Sequence, residues 1–147
     1  MNSDAEKRLR DRAKTIIRNY SIASGTASGA LAIGALWGVD TAFSISIVTK
    51  MVSELAQLCG TTTDEVRSTD QFQALIKKFV AISLSKSLIS FIPVIGNVAN
   101  GVMTYYLIES IGWAVYEIFR DGRSLSDLTE EEIEFYVKYA EENKAKY

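Results

Sequence analysis

Residues 97–119 read NVANGVMTYYLIESIGWAVYEIF. On a helix of about 3.6 residues per turn, the apolar side chains of this stretch point in every direction. They include Val102, Met103, Tyr105, Tyr106, Leu107, Ile108, Ile111, Trp113, Val115 and Ile118. Only Glu109, Glu117 and a few small polar groups are left for water. A helix that is apolar nearly all round must be covered on most of its circumference. It is therefore the expected centre of the fold and the helix with the most buried side chains.

Upstream lies a break, Pro93-Val94-Ile95-Gly96-Asn97, where proline cannot continue a helix because it lacks the N–H and clashes with the preceding turn. Before it, Ser68 followed by Gln71 opens a helix striped with Phe72, Leu75, Ile76, Phe79, Val80, Leu84, Leu88 and Phe91. Residues 69–92 and 97–119 are thus expected to pack antiparallel as a helical hairpin. Its tip would carry Phe91, Ile92, Val94 and Ile95 as apolar residues that meet protein or membrane headgroups.

Further upstream, Asp40 or Thr41 caps a helix with Ile47, Val48, Met51, Val52, Leu55 and Leu58 on one face, ending at Cys59-Gly60. The first helix runs from Asp4 to about Tyr20, with Leu9, Ala13, Ile16, Ile17 and Tyr20 along one side, and a small-residue segment follows it to Gly38. Downstream of the central stretch, Asp121-Gly122 breaks the chain. Thr129 with Glu132 then forms a capping box for a last helix carrying Ile133, Tyr136, Val137 and Ala140. Strand-like alternation is missing over any useful length. The expected fold is all-α, a compact bundle built from helical hairpins with about five to six helices.

No linker or low-complexity boundary divides the 147 residues, so a single helical domain over 1–147 is expected. Within it, 1–20 is a basic amphipathic arm, 21–120 a hydrophobic helical core and 121–147 an acidic C-terminal segment. The arm holds Lys7, Arg8, Arg10, Arg12, Lys14 and Arg18 against Asp4, Glu6 and Asp11. From Glu109 onward, ten acidic residues face five basic ones. The arm's acids and its length are unlike a cleaved leader. Its charge suits either a solvated helix face or an anionic membrane surface. An acidic chain without basic–aromatic interleaving argues against nucleic acid.

Charge is also sparse in a telling way. Between Arg18 and Lys50 the only charged residue is Asp40, and residues 87–108 have none. Both runs are long enough to cross a bilayer, for which about 20 helical residues suffice. Both are also rich in Gly, Ser and Asn, which favours packing against protein. Gly25–Gly29 and Gly34–Gly38 are G-x-x-x-G pairs that let another helix approach closely. Gly96 to Gly101 has the outer spacing of a phosphate loop, but Val102-Met103 stand where Lys and Ser/Thr would be needed.

The chain has no histidine and one cysteine, Cys59. That removes His-dependent hydrolysis, His-ligated zinc, Cys-cluster metal sites and internal disulfides. No catalytic, cofactor-binding or metal-ligating residue is identified, and no cofactor is expected.

Two blocks carry a family resemblance. Gly38-Val39-Asp40 to Ala42-Phe43, followed by a helix with Lys50-Met51 and Leu55-Ala56-Gln57-Leu58-Cys59-Gly60, is one. Phe91-Ile92-Pro93-Val94-Ile95-Gly96-Asn97, running through Gly101 to Gly112-Trp113-Ala114 and Phe119, is the other. Together, over residues 25–120, they resemble the YcjF-like GTPase-associated helical family of unknown function. Gly38 stands where that family commonly has proline, Cys59 replaces a tyrosine, and Val94 replaces a glycine. The resemblance implies a helical module at the cytoplasmic side of the inner membrane, with a GTPase as partner and no catalytic residues. Two readings stand. One is a non-enzymatic module that associates with a membrane surface or a GTPase-type partner. The other is a soluble helical bundle acting as an adaptor or regulatory protein through homo-oligomer formation or partner binding.

Overall fold

Asn100–Arg120 forms one uninterrupted helix of 21 residues, and the other described helices pack on it. The computed structural model describes residues 3–30, 40–61, 77–78, 81–82, 100–143 and 147. In chain order its helices are α1 (Ser3–Ala30), α2 (Asp40–Leu58), α3 (Asn100–Arg120) and α4 (Glu130–Glu142), with a short 3-10 turn at Leu125–Asp127. Helices α1, α2 and α4 each contact α3, and α1 also contacts α2. The fold is an all-α compact bundle, and no strand occurs among the described residues.

Four helices are bounded among the described residues, against the five to six expected. Of the helix expected over 69–92, only Lys77, Lys78, Ala81 and Ile82 are described, and all four are helical. The break at Pro93 and its apolar tip lie outside the described residues.

Residues 107–119 make α3 the axis of the core. Every one of them except Glu109 is buried. Val48, Met51, Val52 and Leu55 of α2 are completely buried against the same core, while Lys50, Glu54 and Gln57 face water. Ile133, Val137 and Ala140 of α4 are likewise fully covered, and Tyr136 nearly so. These are the faces that the three-to-four residue spacing predicts.

Gly112 marks the point where three helices cross. A β-carbon there would lie 2.8 Å from Ile17 Cγ1 of α1 and 3.1 Å from Met51 Sδ of α2. Only a residue without a side chain lets both neighbours approach this closely.

One boundary differs from expectation. Helix α1 does not stop near Tyr20 but continues through Gly25 and Gly29 to Ala30. The buried line Ala13, Ile17, Ser21, Ser24 runs on at helical spacing past Tyr20. Ser24 gives its hydroxyl to the Tyr20 carbonyl at 2.6 Å, so it enters the core without a stranded donor. Tertiary packing along this face outweighs the poor helix propensity of serine and glycine.

The helix ends follow local chemistry. Gly60 and Gly122 both adopt positive φ, +72° and +71°. Thr61 N–H donates to Ala56 O, and Arg123 N–H to Ile118 O, each reaching back five residues as in a Schellman stop. At the start of α4, Thr129 Oγ1 accepts from Glu132 N–H while a Glu132 carboxylate oxygen accepts from Thr129 N–H. The expected capping box is present.

Candidate functional site

Glu117 was expected to face water, and it does not. It projects from α3 between buried Tyr116 and Ile118 and is 1 % exposed. Two partners stand in for water. The Tyr147 hydroxyl donates to Oε1 at 2.6 Å, and Arg120, almost one turn along α3, brings Nη2 to 2.6 Å from Oε2. The guanidinium contact is an ion pair without hydrogen-bond alignment, so Oε2 is buried with no hydrogen-bond donor among the described residues. Burial pushes the Glu117 carboxyl above its ordinary value; the Tyr147 hydrogen bond and the Arg120 charge pull partly the other way. The Tyr147 phenol is pushed up too, first by burial and then by Glu117.

Two further contacts hold Tyr147. Its ring stacks on Trp113 with centroids 4.0 Å apart and planes 8° from parallel. Trp113 in turn meets Tyr116 edge to face at 5.7 Å. Lys14 of α1 donates through Nζ to the Tyr147 backbone oxygen. A cavity of about 240 Å³ lies beside this cluster, lined by Lys14, Ile17, Arg18, Tyr105, Glu109, Trp113 and Tyr147. The arrangement ties Tyr147 to α1 and α3 at once. The Tyr147 hydroxyl is committed to Oε1, while Arg120 holds Oε2 by charge and donates to Asp121 at 3.4 Å, which makes Glu117 an anchor.

A second polar cluster closes the turn between α3 and α4. The Tyr136 hydroxyl donates to Asp121 Oδ2 at 3.0 Å, and Arg123 Nη2 donates to Glu132 Oε1 at 2.9 Å. Glu132 is held below the usual carboxylate range, first by the Thr129 backbone N–H and then by Arg123. Elsewhere, Tyr20 of α1 donates to Glu54 of α2 at 2.5 Å. Its phenol is pushed up to about 12, mainly by burial and then by that carboxylate. Burial likewise lifts Tyr116 to about 12.

Of the basic arm, Lys7, Arg8, Arg12, Lys14 and Arg18 are exposed, and Arg10 is half-buried. They do not make one stripe. At about 100° per residue, Lys7, Lys14 and Arg18 share one flank of α1 and Arg8 and Arg12 another, with Asp4 and Asp11 between them. Gly25 and Gly29 lie within α1. Gly34, Gly38, Phe91, Ile92, Val94 and Ile95 lie outside the described residues. Cys59 is half-buried at the end of α2, and burial pushes its thiol up, away from the thiolate.

Sequence reasoning passed over Phe135, which is 61 % exposed on α4. Its signal was available: it falls opposite the Ile133, Val137 and Ala140 face. Glu117 had a weaker signal, a lone carboxylate inside an apolar turn, and Tyr147 had none. Among the described residues no group of three His, Cys, Asp or Glu side chains is placed to hold a metal ion. No described helix is long and apolar enough to cross a membrane. Compared with protein-family models, curated proteins and solved structures, the chain matches none.

Proposed function

We propose that this protein is a non-enzymatic helical interaction module, an adaptor that works through the charged outer faces of α1 and α4. The observation that carries this reading is the separation of core from charge. Ser21, Ser24 and, apart from Glu109, residues 107–119 are buried within the chain's own bundle, with Glu117 the one buried carboxylate among the described residues. Arg8, Arg12, Lys14 and Arg18 on α1, and Glu130, Glu131 and Glu134 on α4, remain outside. Such faces select partners by electrostatic complementarity. A cytoplasmic site of action belongs to the same proposal.

Exposed cations on α1 favour a second reading, in which the partner is an anionic membrane surface, with a GTPase-type protein recruited there. Each Lys or Arg near such a surface is worth about 1 kcal/mol, but Asp4 and Asp11 interrupt the cationic faces. Flotation of the purified chain with phosphatidylserine-containing vesicles separates the readings. The adaptor reading predicts that the protein stays at the bottom of the gradient at physiological salt. Flotation that disappears when Lys7, Lys14 and Arg18 are changed to Gln would establish the membrane reading instead.

A further inference from the structure

The outer face of α4 carries an aromatic side chain that the bundle does not use. Phe135 is 61 % exposed, and among the described residues its ring meets neighbours on its own helix: Tyr136 edge to face at 5.5 Å and Tyr139 at 6.1 Å. Carboxylates bracket it on the same face. Glu131 stands one turn before and Glu142 about two turns after, both exposed, with Lys138 between Phe135 and Glu142 and ion-paired to Glu142 at 3.8 Å.

The complement to this face is on the same chain. An open groove of about 340 Å³ lies against the N-terminal turns of α1, lined among the described residues by Asp4, Ala5, Arg8, Leu9 and Arg12. Ala5 and Leu9 give it apolar walls. Arg8 and Arg12, one turn apart and exposed, bring two guanidinium groups against the one carboxylate of Asp4. The space takes a phenyl ring, and guanidinium groups are the cations that best suit both an aromatic face and a flanking carboxylate. The one-turn spacing of Arg8 and Arg12 matches that of Glu131 and Phe135.

We propose that α4 of one copy docks on α1 of a second copy, with Phe135 entering the Ala5–Leu9 groove and Glu131 meeting Arg8 and Arg12. This rests on the adaptor reading and names a partner for it. A second copy is the occupant because Arg8 and Arg12 complement Glu131 in charge and all of them, with Phe135, are exposed among the described residues. The contact joins different patches of the two copies and is therefore heterologous.

Sedimentation velocity of the full chain across a range of concentrations, at low and high salt, tests the proposal. The expected result is concentration-dependent association that weakens as salt rises. Phe135→Ala or Glu131→Arg should weaken it roughly tenfold or more, as loss of a central anchor does. The double variant Arg8→Glu/Arg12→Glu should do the same. Mixing Glu131→Arg with that double variant should restore a mixed complex. All these positions are on the outside, and circular dichroism of each variant verifies the fold. A chain that stays monomeric at low salt, or whose association ignores the charge reversals, overturns the proposal. Monomeric behaviour without flotation on vesicles would end self-association alone, whereas flotation would end the adaptor reading itself.

Discussion

Glu117 is the residue whose environment says most about how the bundle is closed. Its carboxyl is held above the ordinary value of 4.5. Between that value and the raised one, the folded chain binds a proton that the unfolded chain does not. The stability this group gives is therefore complete below the ordinary value and is lost as pH rises through the folded value. Glu132 behaves oppositely: its lowered value gives stability above the ordinary range that is lost as pH falls. Comparing the parent with Glu117→Gln isolates the first effect, because Glu132 is common to both. Thermal melts from about pH 4 to pH 8 should show the parent losing ground to the variant as pH rises. A difference in Tm that is flat, or that moves in the parent's favour as pH rises, would contradict this account of Glu117.

At the scale of elements, the crossing at Gly112 sets how near α1 and α2 come to α3. Alanine there improves helix propensity by about 1 kcal/mol but places a methyl group against Ile17, whose branched side chain is stiff. Overpacking of this kind costs about 1–3 kcal/mol. Gly112→Ala should therefore lower stability by about 1 kcal/mol net in urea unfolding. An unchanged or higher midpoint would mean that the helices can separate there without loss.

The elements also show what local sequence can and cannot announce. The Thr129–Glu132 cap, the Gly60 and Gly122 stops and the buried faces of α2 and α4 were legible, because residues within a few positions of each other decide them. The end of α1 was not. Whether Ser21 and Ser24 remain helical depends on a surface supplied from elsewhere in the chain. Glu117 is the same case in a polar form: its burial depends on Tyr147, thirty residues away. Phe135 was legible in principle, since its side of α4 follows from the same spacing that identified Ile133 and Val137.

At the scale of the molecule, the claim that organises the rest is that α3 is the axis of a self-sufficient core, leaving α1 and α4 to meet partners. If instead residues 107–119 required lipid for cover, the charged faces would be secondary and the adaptor reading would fail. Amide hydrogen exchange, followed by mass spectrometry in detergent-free buffer and again with phosphatidylserine-containing vesicles, decides between these. The account predicts that amides of 107–119 exchange last of all in buffer alone, with protection reaching the global unfolding limit and unchanged by vesicles. Rapid exchange of 107–119 in buffer, with protection appearing only when vesicles are added, would contradict it.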